Sequence, residues 1–168
     1  MRGRIEAGAR LFVVSGVVLA ALGFVGHYAG WVVVTTTVGP TLYILLAHPD
    51  SKASSFRSGV VGHGCALVAG LAVLAAFGLW HHPSVPQAGR DTPAQIGAEA
   101  LSVALTLFLL ELLDAHHPPA AATALLITSG IARPGPPLYG MLVGLAAVLL
   151  IGPMLAALPG PGRKSSQL

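Results

Sequence analysis

Two carboxylates and two histidines crowd into Glu111-Leu-Leu-Asp114-Ala-His116-His117, and two prolines follow at once. Glu111 and Asp114 are three residues apart, so a helix places them on one face. That face also points towards His117 if the helix continues. Such a set suits proton relay, because histidine titrates near neutral pH. It equally suits the plain role of marking where a helix leaves a membrane. The four side chains are also conceivable metal ligands, but their spacing fits no strong ligand pattern and no metal is expected.

His117-Pro118-Pro119 is the most specific local feature. Proline is favoured at a helix start, where its missing N–H costs nothing. The helix predicted from these prolines exposes the amides of Ala120, Ala121 and Ala122 at its N-terminus. Such an end carries about half a positive charge and suits an anion. Gly39-Pro40-Thr41, preceded by Thr35, Thr36 and Thr37, offers a second end of the same type. Broken helices aimed at a substrate recur in transporters. The alternative is a proline-capped helix that binds nothing.

Arg57 and His63 open a later apolar run. Arg57, among Ser54, Ser55 and Ser58, either attracts anions at an entrance or anchors at headgroups. His63 stands between Gly62 and Gly64, whose lack of side chains lets another backbone approach, so it is expected to face protein. His81-His82 beside Trp80 reads as interfacial anchoring. No Cys-x-x-Cys, His-Glu-x-x-His, P-loop or Gly-x-Ser-x-Gly is present. No catalytic residue, enzyme activity or cofactor is expected.

The elements that must position these residues are membrane helices. Of 168 residues 54% are hydrophobic and only 9% charged, against roughly 25% charged in soluble domains. The net charge of +3 comes with no interleaving of bases and aromatics, so nucleic acid is not an expected partner. Cys65 is the single cysteine, which excludes an intrachain disulfide. A bilayer crossing takes about 20 apolar residues. Four runs qualify: Ala9 to Tyr28, Gly59 to Trp80, Ile96 to Leu113 and Leu138 to Leu158. The first follows Arg2, Arg4 and Arg10 and is read as a retained helix rather than a cleaved leader. Two shorter segments, Trp31 to Ala47 and Pro118 to Ile131, are read as proline-started helices that either cross or dip and return.

The expected fold is therefore all-α: a polytopic membrane helix bundle of four long and two short helices. It is a single domain over 1–158 with a disordered tail over 159–168. The order of elements repeats, roughly 9–80 against 96–158, and Gly-Leu-Ala-Val-Leu at 70–74 echoes Gly-Leu-Ala-Ala-Val-Leu at 144–149. Full crossing by the short segments places Arg2, Arg4, Arg10, Lys52, Arg57, Arg163 and Lys164 on one side and Arg90 and Arg133 on the other. Re-entry divides the charges less unequally. The positive-inside rule then prefers full crossing, with both termini cytoplasmic. That topology makes the halves inverted repeats. So small a unit with Gly- and Ala-rich helices is expected to form a homo-oligomer.

At His117-Pro118-Pro119-Ala-Ala-Ala-Thr-Ala-Leu-Leu the sequence resembles the HPP family of integral membrane proteins. Pro49, Ser51, Arg57, Gly62 and His63 match a second family stretch, although Ser55-Phe56 replaces the usual Gln-Pro before the arginine. The resemblance covers about Leu11 to Leu158. It implies a small unit with four spanning helices. Plastid members are associated with nitrite transport, so it also implies a transporter or channel for a small inorganic anion, with nitrite the named example. A bacterial inner membrane is the expected location. The alternatives are a structural or regulatory membrane subunit and, further off, a metal-dependent membrane enzyme.

Overall fold

The computed structural model describes residues 1–158; the tail expected to be disordered, 159–168, lies outside the described residues. The helices are α1 (Arg2–Ala29), α2 (Val38–Ala47), α3 (Phe56–Ala76), α4 (Val85–Ala88), α5 (Pro93–Leu112), α6 (Pro119–Thr128) and α7 (Pro136–Ala157), with a 3-10 turn at Lys52–Ser54. Among the described residues there is no strand. α1, α3, α5 and α7 are each long and apolar enough to cross a membrane. The chain is an all-α polytopic bundle.

Local chemistry sets the boundaries. α1 starts at Arg2, ahead of the apolar run, with Arg2 and Glu6 paired one turn apart at 3.1 Å. α5 starts at Pro93 because Thr92 and Gln95 form a reciprocal capping box. α3 stops at Ala76, short of Trp80, where Gly78 takes a left-handed φ of 69°. Segment 31–47 is helical only from beside its proline, as the sequence predicts. Only Val38–Ala47 is helical, and Trp31–Thr37 runs as non-helical chain. Its three valines and three threonines are β-branched and resist a helix.

Contacts give each crossing its direction. Arg10 donates to the carbonyls of Leu155 and Leu158 at 3.0 Å, so α1 starts where α7 ends. The Trp31 and Tyr139 rings, 6.2 Å apart, join the opposite ends of the same two helices. A Cβ added to Gly140 would meet the Val32 carbonyl, one on Gly144 the Val38 side chain, and one on Gly152 the Leu45 side chain. Segment 31–37 therefore descends alongside α7, and α2 continues in the same direction to the far face. The short segment thus runs back along the bundle in two pieces, non-helical chain then helix.

α3 and α6 also run parallel. A Cβ on Gly62 would lie 3.4 Å from Ala120 Cβ, and one on Gly70 would lie 3.1 Å from Ile127 Cβ. α5 runs antiparallel to α3, since Gly62 faces Leu110 and Gly97 faces Phe77. The glycines explain the closeness, because no other residue leaves room for the partner helix. One face of the bundle thus carries the start of α1, the 48–55 and 113–118 connections and the end of α7. Arg2, Arg4, Arg10, Lys52 and Arg57 lie on that face. The opposite face holds the 77–92 and 129–135 connections with Arg90 and Arg133, where Arg133 donates to the His82 carbonyl at 3.3 Å.

Around α2, α7 and the inner side of α1 the core is aliphatic, with Val38, Leu42, Met141, Leu145 and Val148 fully or almost fully buried. Between α3, α5 and α6 it is built mainly of small residues, Ala66, Ala115, Ala120 and Ala124 with Leu110. That second region closes on the histidines. Outward-facing Phe12, Phe24, Val68, Phe108 and Leu150 are exposed in the isolated chain, as a lipid-facing surface requires.

Candidate functional site: a buried histidine pair

α3 begins at a serine cap. Ser55 Oγ accepts the Ser58 amide at 3.1 Å, which fixes how the chain enters the helix. Arg57 then projects from the first turn and His63 from the second, about 10 Å along the axis from the helix start at 1.5 Å per residue. Across from them α5 ends at Leu112. Asp114 adopts φ 51°, and the Ala115 amide reaches back to the Leu110 carbonyl at 2.8 Å. This tight reversal turns His117 inward, and Gly62 leaves the space it needs, since a Cβ there would sit 3.0 Å from His117 Cβ.

His63 and His117 meet edge to face, with ring centroids 4.8 Å apart and Nε2 atoms 3.2 Å apart. Both are buried, His117 completely. His117 Nδ1 lies 2.7 Å from the Ala53 carbonyl. His63 Nδ1 lies 2.9 Å from Thr123 Oγ1, and His63 Nε2 also lies 3.1 Å from Thr41 Oγ1. Thr41 donates its hydroxyl to the Thr37 carbonyl at 2.8 Å, and Thr37 Oγ1 contacts Thr35 Oγ1 at 3.0 Å.

These partners fix where the protons sit. A carbonyl only accepts, so His117 Nδ1 carries a hydrogen and, in the neutral pair, its Nε2 is a bare acceptor. His63 Nε2–H then donates into the space shared by His117 Nε2 and Thr41 Oγ1. His63 Nδ1 is left to accept the Thr123 hydroxyl. No buried side-chain nitrogen or oxygen among the described residues lacks a partner. A track of polar groups thus runs from Ala53 near the basic face, through both imidazoles, to Thr41, Thr37 and Thr35 on the segment that enters from the opposite face.

The site residues expected from the sequence divide into two groups. His63, His117 and Thr41 come together. Pro118 and Pro119 set the start of α6, with Pro119 its first residue, and Pro40 lies in the first turn of α2 beside Gly39. The amides of Ala120 and Ala121 are occupied, accepting partners being the carbonyls of His117 and Pro118 at 3.0 and 3.1 Å. Arg57 does not reach the histidines; it donates to the carbonyls of Leu113 and Asp114 at 3.0 and 3.3 Å. Asp114 is exposed and ion-paired with Lys52, and Glu111 is exposed beside His116 at 3.8 Å. Lys52 holds the Asp114 carboxyl below the usual carboxylate range, first by hydrogen bonding and then by charge, with His116 and Arg57 adding to it.

Thr123 and the Ala53 carbonyl belong to the site and are not singled out by the sequence, whereas Thr37 stands in the threonine run read before Pro40. Thr123 was legible in principle as the lone hydroxyl in an otherwise apolar first half of α6. Among the described residues no three His, Cys, Asp or Glu side chains converge as a metal site.

Fold and site together define a small multi-pass membrane protein built around a hydrogen-bonded histidine pair. Residues 2–160 match the HPP transmembrane region. The chain belongs to the HPP family, and His117-Pro118-Pro119 is the tripeptide that places His117 against His63. No curated protein and no solved structure matches it.

Proposed function

We propose that this chain carries a small inorganic anion across the membrane, as a transporter or channel, with nitrite the first candidate. The observation behind this reading is the His63–His117 pair itself. Ionisable side chains inside a membrane domain are costly, and they mark pathways more often than they serve packing. Here the pair lies where the fully buried Thr41 and Thr123 converge on it from the two broken crossings. Lys52 and Arg57 lie just above it, giving that entrance a positive character.

The packing supports two related halves. α3 lies parallel on α6 and α7 lies parallel on α2, so the third helix of each half packs on the short helix of the other. Inverted repeats of α1–α3 and α5–α7 would produce this exchange. The face with Arg2, Arg4, Arg10, Lys52 and Arg57 is assigned to the cytoplasm by charge, with the protein in a bacterial inner membrane. α1 buries only 6% of its apolar window within the chain, and we assign part of that surface to a homo-oligomer.

One observation favours the alternative of a non-transporting subunit. Arg57 and Lys52, the cations at the entrance, are both engaged, the first by carbonyls and the second by Asp114. Purified protein in liposomes decides the matter. Anion flux above that of empty liposomes is expected, and it should fall in His63→Ala and His117→Ala. No flux with any of several anions sinks the transporter reading, and a copurifying partner would then favour the subunit.

A further inference from the structure

His117 is buried, yet it lies just under the basic face, because His116 and Pro118 on either side of it are exposed. On that side its cover is one turn of chain. The 3-10 turn Lys52–Ser54 meets the ring there and lends the Ala53 carbonyl to Nδ1–H at 2.7 Å. Ala53 itself is only half-buried, and Lys52 is exposed. This N–H therefore differs from the other donors of the site. Those are held between helices, whereas this one is held by a connection.

The turn is a self-contained unit. Ser54 and Ser55 donate their amides to the Ser51 and Lys52 carbonyls at 3.1 and 3.2 Å. Ser54 Oγ lies 2.7 Å from the Pro49 and Ser51 carbonyls. All of these bonds stay within residues 49–55, so a movement of the turn as one piece breaks none of them. Ser51 and Ser55, on its two sides, have extended backbones with ψ of 153° and 140°, the kind of position that serves as a hinge. Among the described residues, two ties hold the turn itself to its surroundings. They are the Ala53 carbonyl on His117 and the Lys52 ammonium on Asp114. Towards the end of α7 a cavity of about 310 Å³ lies between Pro49, Asp50 and Ser54 on one side and Pro153, Ala156 and Ala157 on the other. The turn has room to tilt that way.

A carbonyl and an oxyanion compete for the same donor, and the charged acceptor makes the stronger bond. Resting on the transport reading above for the choice of ligand, we propose that the Lys52–Ser54 turn is the gate on the basic face: it closes by seating the Ala53 carbonyl on His117 Nδ1–H and opens when a small oxyanion takes that seat. The exchange swaps one hydrogen bond for another and moves no proton. The displaced carbonyl turns to water. Lys52 is the chain neighbour of Ala53, so its ammonium, freed from Asp114, meets the arriving anion. Asp114 keeps His116 Nδ1 at 3.4 Å. His117 Nε2 goes on facing His63, so the anion sits at the outer end of the histidine pair and not between the rings.

Two readouts on the full chain test this. The first is tryptic cleavage after Lys52 in detergent, followed by mass spectrometry at constant ionic strength, with sodium nitrite or formate replacing the bulky gluconate. An anion that binds only the open form multiplies its population by one plus the ratio of anion concentration to Kd, about twofold when the two are equal. Cleavage should therefore rise linearly with nitrite or formate and not with gluconate. His117→Phe removes the donor, so cleavage should start faster and no longer respond to the anion. The second readout is flux of the same anions into liposomes. Asp114→Asn changes an exposed side chain and weakens one tie. It should speed both cleavage and flux, by up to about fivefold, the scale of an exposed ion pair. Cleavage that ignores every anion the wild-type protein transports overturns the gate and leaves transport standing. Faster cleavage in Asp114→Asn with unchanged flux does the same. Anion-stimulated cleavage without any flux upholds the seat on His117 and sinks the transport reading. Neither stimulation nor flux overturns both.

Discussion

His117 Nδ1 faces the Ala53 carbonyl at 2.7 Å while its Nε2 faces His63 Nε2 at 3.2 Å, so one ring ties a surface turn to the middle of the bundle. Removing it leaves the part-buried Ala53 carbonyl without that donor and leaves His63 Nε2 with Thr41 alone. His117→Phe keeps the ring volume and should destabilise by about 1–3 kcal/mol, the cost of buried unpaired groups. His116→Ala, one residue away and half exposed, should change stability by no more than about 0.5 kcal/mol. Thermal unfolding of the two variants in the same detergent checks the contrast. Equal shifts would mean that the tripeptide matters through its prolines alone.

Close approach of α3 to α6 gives a second prediction. A Cβ on Gly62 meets His117, and one on Gly70 meets Ile127 within 3.1–3.2 Å, whereas one on Gly64 meets nothing within 4 Å. Gly62→Leu and Gly70→Leu should each cost about 1–3 kcal/mol or more through overpacking. Gly64→Ala should be neutral or stabilising by up to about 1 kcal/mol, since alanine favours the helix. The yield of monodisperse protein and its unfolding temperature would report this ordering. A loss at Gly64 matching that at Gly62 would contradict the packing.

How far the sequence foretold this arrangement depends on the type of residue. Apolar runs are long and unambiguous, so the four long helices were legible, with only their ends displaced by caps such as Thr92–Gln95. His63 was legible because Gly62 beside it marks a place where another element comes close, whereas Gly64, read the same way, faces no neighbour within 4 Å. Glu111 was harder. Spacing puts it on one face with Asp114, but spacing does not say whether that face turns inward, and here it turns out. Thr123 and the Ala53 carbonyl were hidden for a different reason. Their role comes from contacts between residues 60 and 64 positions apart, and the non-helical course of Trp31–Thr37 depends on α7 packing beside it.

Arg57 separates charge from geometry. If it acted mainly by collecting anions, lysine would replace it. Its guanidinium instead bridges two carbonyls at the end of α5, and an ammonium on a flexible stem cannot hold both in the same way. Arg57→Lys should therefore cost about 1–2 kcal/mol of stability, on the scale of a lost charge-assisted hydrogen bond, and lower flux nearly as much as Arg57→Ala. Full flux in Arg57→Lys with loss only in Arg57→Ala would restore the anion-gathering role.

The Lys52–Asp114 pair carries the pH prediction. The Asp114 carboxyl is held below the usual range, chiefly by its hydrogen bond to Lys52. A carboxyl that is lowered in the fold contributes stability above its unfolded value of about 3.9, and that contribution is lost as pH falls through the lowered value. The link between the 48–55 and 113–118 connections should hold unchanged from neutral pH to below the ordinary aspartate range and open only in stronger acid. Both partners are exposed, so the effect is local. Tryptic cleavage after Lys52 is the readout at neutral pH. Asp114→Asn should speed it, because asparagine keeps the φ of 51° available while losing the charge. Asp114→Ala should speed it further, adding backbone strain to the lost pair. Equal cleavage in all three proteins would show that the ion pair does not hold the turn.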